Sequence, residues 1–232
     1  MSRIQQWISM LQSDPVGFIL YLFNLLVTVL LSLILHEVAH GYVAYRCGDA
    51  TAKWMGRLSL DPRKHLDPIG TICMLLFGIG WAKPVPVNPR NFRNYRRDDF
   101  LVSIAGIVTN LSLFLLCTAL LVGVNKVTGD VLDVMAHPWL QYVQRFLLSM
   151  ATFNLSLAVF NFLPIPPLDG YHIFNDLLFR GRFQLSGQAF RVAQVVLLLL
   201  CFSGLLSELL YIINTNVFNA VLHFFLMMTG GA

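Results

Sequence analysis

Residues Val16 to Leu35 form an unbroken run of 20 residues without a charged side chain. A helix rises about 1.5 Å per residue, so a run of this length spans the ~30 Å hydrocarbon core of a bilayer. In lipid the backbone must satisfy its own hydrogen bonds, and a helix does this within one segment. The run does not end in an ordinary polar loop. It passes straight into His36-Glu37-Val38-Ala39-His40. One helix is therefore expected through His40 to about Tyr45, stopped by Gly48. Since the run feeds this motif, it is expected to stay as a span and not to be removed as a signal core.

The rest of the chain fits the same solvent. Charged residues make up 12% of the sequence and hydrophobic ones 56%, whereas soluble domains carry roughly 25% charged residues. Phe100 to Val124 is a second span of 25 residues without a charge, and Trp139 to Leu163 a third. Val192 to Ile213 reads as a fourth, interrupted by Glu208; Val217 to Met228 is apolar but short. The expected fold is an all-α polytopic membrane protein with about four to six transmembrane helices. It forms one membrane-embedded domain over 1–232, with a core at about 16–175 and C-terminal helices at 188–228.

Between the first two clear spans the pattern changes. Gly56 to Leu60 alternates as a short strand would. Ile69 to Ala82 is apolar but only 14 residues long, with three glycines inside, which suits a re-entrant or β-like segment. Pro84, Pro86 and Pro89 then exclude helix and leave an extended stretch. Such an edge could accept a substrate strand.

The net charge of +4 is no argument for nucleic acid here, because basic residues in a membrane protein report loop orientation. They cluster between the first and second spans and again at 164–191, whereas 125–138 holds only Lys126. The first and third of these loops are thus expected to be cytoplasmic. The four cysteines are far apart, without a CxxC pair, and read as apolar fillers.

The chemistry sits in His36–His40. Residues four apart on a helix stand on one face, so two imidazoles can share a metal, and the glutamate between them can work on water. An ionisable trio continuing an apolar span is costly and is functional by default. A catalytic zinc needs a third protein ligand. Asp169, His65, His172, His137 and His223 are the candidates. The topology brings Asp169, after the third span, to the end that carries the histidines, and puts His137 on the far side. Gly106 and Asn110 enter at that same end, where a glycine permits close helix approach and an asparagine can bond across it.

Three stretches together resemble the site-2 protease family of intramembrane zinc metalloproteases: His36–His40, Ala105-Gly106-Ile107-Val108-Thr109-Asn110, and Asn161 through Asp169-Gly170. Gly56–Gly70 and Trp81–Asn88 are similar to its compact bacterial branch, which lacks PDZ and CBS modules. Ile107 departs from the proline that many members have after the glycine. The resemblance implies that His36, His40 and Asp169 bind one zinc ion and that Glu37 is the catalytic acid and base. It implies that Asn161 and Asn110 help to hold substrate or intermediate. The implied partners are a membrane-protein substrate and the lipid bilayer, and the implied place is a bacterial cell membrane with the site near the cytoplasmic face. Two other readings compete. One is a zinc protease of the prenyl-peptide kind, whose third ligand would be Glu208, the only other glutamate. The other is a transporter or scaffold without proteolysis.

Overall fold

In the computed structural model the described residues are 3–77, 82–128, 138–183 and 185–230. They are overwhelmingly helical. Helix α1 (Arg3–Ser13) lies against α2 (Pro15–Cys47). Asp14 starts α2 by accepting the Gly17 N–H at 2.9 Å, with Pro15 in the first turn, where its missing N–H is harmless. Gly48 ends it in the left-handed region at φ +115°. The 33 residues of α2 amount to about 50 Å of helix, more than a bilayer core.

A short turn, α3 (Thr51–Trp54), and α4 (Pro68–Phe77) follow, then α5 (Tyr95–Thr128), α6 (Pro138–Asn161), α7 (Asp169–Leu178), α8 (Gly187–Ser203) and α9 (Leu205–Met228). Four of these, α2, α5, α6 and α9, are long and apolar enough to cross a membrane. The chain is therefore an integral, multi-pass membrane protein.

Helix α5 is the hub: it packs against α6, α2, α7 and α9. Phe114, Cys117 and Leu121 of α5 meet Leu147, Met150, Ala151 and Leu155 of α6, with Phe218 and Val221 of α9 covering them. Polar side chains fix how α2 is rotated against α6. The Asn154 amide donates to Ser32 Oγ at 2.8 Å, and that of Asn24 to Ser149 Oγ at 3.1 Å. Such bonds contribute about 0.6 kcal/mol each in lipid, so they set register more than stability. All four cysteines are unpaired.

Two expectations are corrected. Val192 to Ile213 is not one span: Gly204, at φ +82°, separates α8 from α9. The fourth span is α9, which absorbs Val217 to Met228. Glu208 does not interrupt a helix but lies in its first turn, where the positive end of the helix dipole favours a carboxylate. Gly56 to Leu60 is turn and bend, not strand. Its Gly56 and Arg57 N–H groups bond back to Lys53 and Ala52, and no neighbouring strand pairs with it among the described residues.

The 69–82 stretch is in part the ten-residue α4, too short to cross, begun by Asp67 accepting the Gly70 N–H. Its end at 78–81, with Gly78, Gly80 and Trp81, lies outside the described residues, as does His137. The β-like part is a single antiparallel bridge between Leu66 and Ala82. From Ala82 to Asn88 the chain is extended, as the prolines require.

Phe114 is 1% exposed at the centre of the α5–α6 contact. Phe114→Ala is expected to cost about 3 kcal/mol. Unfolding of the detergent-solubilised protein measures this, and a much smaller loss would mean that the helices close the cavity.

Candidate metal centre

The motif helix α2 presents two faces. On one, His36 and His40 point at α5, where Gly106 makes room. A Cβ there would lie 2.4 to 2.6 Å from the two imidazole rings, far inside contact distance. Reading Gly106 as a site for close helix approach is right in kind, but what approaches is the pair of rings. Sequence could not say so, because it does not give the rotation of α5 against α2.

Each imidazole is held through Nδ1. The His40 Nδ1–H donates to the Val102 carbonyl at 2.7 Å, and that of His36 to Asn110 Oδ1 at 3.1 Å. A carbonyl oxygen can only accept, so both protons sit on Nδ1 and both Nε2 atoms carry lone pairs. Those two Nε2 atoms are 3.0 Å apart. Asp169 Oδ2 stands 3.3 Å from one and 3.4 Å from the other. It is buried, with no hydrogen-bond donor of its own.

Three acceptor atoms thus converge with nothing between them to donate, an arrangement that repels itself unless a cation lies at its centre. The spacing also fits a particular cation. Two ligands of a tetrahedral zinc with bonds of ~2.0–2.1 Å are about 3.3 Å apart. Among the described residues this is the one cluster of three such groups able to hold a metal.

Asp169 reaches the site because α7 begins on it directly after α6 and its proline-rich end. Gly170 permits the close turn: a Cβ there would come within 2.5 Å of the Phe162 and Leu163 main chain. Glu37, about 100° round the helix from His36, lies on the adjoining face of α2, and its Oε2 accepts the Val85 N–H at 2.7 Å. This contact with the extended 82–88 segment had no sequence signal, since a backbone donor carries no residue signature. It also bears on strand addition. The Lys83 N–H donates to the His65 carbonyl, Val85 to Glu37 and Asn88 to Asp49, while Pro84 and Pro86 have no N–H. The segment therefore has few donors left for an incoming strand.

The other candidates lie elsewhere. His65 is buried and bonds the Ser59 carbonyl at 2.7 Å. His172 pairs with Asp99 at 3.3 Å, and that carboxylate lifts its imidazole above the usual range. His223 and Glu208, both on α9, are exposed, so a prenyl-protease ligand set is not assembled. Asn110, fully buried, touches His36 and so acts through a proposed ligand. The Asn161 amide donates to Leu157 in its own helix at 3.0 Å.

Gly106→Ala is expected to lower zinc content and activity together, by about tenfold or more, because the added methyl displaces both rings. Metal analysis of the purified variant checks this; full zinc content would show that the rings can move aside.

The chain matches peptidase family M50 over residues 24–204. It is 43% identical over 187 residues to YwhC of Bacillus subtilis, whose name assigns it provisionally to the zinc metalloproteases; the match covers 81% of this chain and 84% of that one. It is 34% identical over 148 residues to Rip2 of Mycobacterium tuberculosis, named in the same way, covering 61% of this chain and 52% of that one. No solved structure matches it. Motif, helices and relatives agree: the chain belongs to peptidase family M50, the membrane-embedded zinc metalloproteases of the site-2 type.

Proposed function

We propose that this protein hydrolyses peptide bonds within or near the transmembrane segments of other membrane proteins, with one zinc ion held by His36, His40 and Asp169 and with Glu37 as acid and base. The observation that carries the reading is the convergence of three undonated acceptor atoms, at tetrahedral spacing, inside a bundle of membrane-spanning helices. The whole chain acts as a single membrane-embedded unit. A position near the cytoplasmic face of a bacterial cell membrane is part of this reading; the basic loops around the site and the bacterial relatives support it.

Zinc, when bound, supplies the Lewis acidity that polarises the scissile carbonyl and the attacking water. The chain's own residues do the rest. Val102 and Asn110 keep His36 and His40 in the tautomer that offers Nε2, and Asp169 adds a negative charge that strengthens the site. Glu37 takes a proton from water during attack and returns it to the departing amine. Asn161, at the end of α6, donates to the substrate main chain once released from Leu157. A peptide bond in a helix is shielded by its own hydrogen bonds, so the substrate must unwind locally to be cut.

Glu37→Gln is expected to keep one zinc per chain and to lose about 10²- to 10⁴-fold in turnover. The test substrate is a synthetic Leu/Ala single-span peptide with a central Asn-Gly pair and lysine ends, in micelles. Cleavage at the wild-type rate would remove Glu37 from the mechanism. Asp169→Ala is expected to lose zinc as well as cleavage; a variant with full metal content would take Asp169 out of the ligand set.

A further inference from the structure

Among the described residues several charged side chains outside the metal centre are buried without an ion pair, and two of them, Arg57 and Asp49, reach the segment after Ala82. Arg57 is 8% exposed, and no carboxylate pairs with it among the described residues. Asp49 is fully buried, and no cation pairs with it among the described residues. Buried charges normally sit in ion pairs, because the cost of desolvation is otherwise uncompensated. These two bond instead to neutral partners: main chain for Arg57, and main chain, the Asn91 amide and the Thr51 hydroxyl for Asp49; both hold main-chain groups within residues 83–88.

A single guanidinium nitrogen of Arg57, Nη2, donates to two successive carbonyls, Lys83 at 2.7 Å and Pro84 at 3.0 Å. At the other end, Asp49 Oδ2 accepts the Asn88 N–H at 2.7 Å, and Oδ1 accepts from the Asn91 amide at 2.8 Å and the Thr51 N–H at 3.1 Å. Arg57 therefore has only donors to offer and grips carbonyls; Asp49 has only acceptors and grips N–H groups. Between the two grips lies Val85. Its side chain presses on α2 at Gly41, where a Cβ would stand 2.9 Å from Val85 Cγ1. Its N–H reaches Glu37, one turn earlier on the same face of α2.

We propose that Arg57 and Asp49 are positioning residues for Glu37. They act through the main chain of residues 83–88, holding it so that the Val85 N–H fixes one oxygen of the Glu37 carboxylate and leaves the other for proton transfer. The proposal rests on the reading of Glu37 as acid and base. Acid–base work is sensitive to such placement: an error near 1 Å can cost about a hundredfold in rate. A glutamate side chain has several rotatable bonds, and a backbone donor restricts it without competing for the metal.

The test compares Arg57→Ala, Asp49→Asn, Val85→Pro, the double variant Arg57→Ala with Val85→Pro, and Glu37→Gln. The first readout uses neither substrate nor metal: hydrogen exchange of the peptide spanning 82–91. Arg57→Ala and Asp49→Asn are expected to speed it about tenfold or more. Glu37→Gln is expected to speed it too, because a neutral amide oxygen accepts more weakly than a carboxylate. The second readout is turnover of the single-span test peptide. Arg57→Ala and Val85→Pro are each expected to lower kcat about 10- to 100-fold with KM little changed and zinc retained. Their double variant should be no worse than the more damaging single one, since both break the same link. Methylguanidinium should restore part of the Arg57→Ala activity.

Unchanged exchange over 82–91 in Arg57→Ala and Asp49→Asn would overturn the proposal. So would losses that multiply in the double variant, or a change confined to KM. Where Arg57→Ala does not fold, Arg57→Met takes its place: it keeps the apolar stem, removes the donors, and is expected to show the same loss. If instead the wild type carries no zinc, or Glu37→Gln cleaves normally, the peptidase reading falls. The exchange comparison still decides whether the two charges hold Val85 on Glu37.

Discussion

The mutual repulsion of three acceptor atoms governs this molecule. Two imidazole Nε2 atoms and a carboxylate oxygen lie within 3.4 Å of one another. In water such groups would turn outward and be solvated. Here they cannot. His36 and His40 are locked from behind by Asn110 and Val102, and Asp169 is carried in at the start of α7. The packing of α2, α5, α6 and α7 is thus spent on holding a preformed hole for a cation, in surroundings where moving apart would bury unpaired polar groups in lipid.

The second constraint works on the adjoining face of α2. The helix divides its motif between two neighbouring faces: the histidines look at Gly106 of α5, while Glu37 and Gly41 look at the extended 82–88 segment. In the proposed peptidase, metal ligation and acid–base work would thereby be supported by different parts of the chain. A helix bundle supports the first. A non-helical strap, held by Arg57 and Asp49, supports the second. Irregular backbone near a membrane is tolerated only when its polar groups are satisfied by protein, and the two buried charges do that for this strap.

Much of this was legible before any coordinates. Length without charge located α2, α5 and α6, because a bilayer leaves an apolar run little choice but helix. The i, i+4 spacing of His36 and His40 put both rings on one face. Where sequence and structure differ, a local signal carries more than one meaning. Glu208 reads as an interruption of an apolar run, yet a carboxylate at that point favours a helix start. Gly204 was the true break, and a glycine inside an apolar run does not announce whether its φ will be positive. The alternation in Gly56 to Leu60 had no partner strand to act on.

By itself the sequence determined the solvent, the spans and the pair of imidazoles, all of which follow from composition and from periodicity within one segment. Only the tertiary structure decided which carboxylate meets those imidazoles, what Gly106 leaves room for, and that the Val85 N–H touches Glu37. Those facts depend on how separate helices and loops are rotated and docked against each other. Backbone donors and acceptors, identical at nearly every residue, do much of that docking, and a string of side-chain letters does not record where they point.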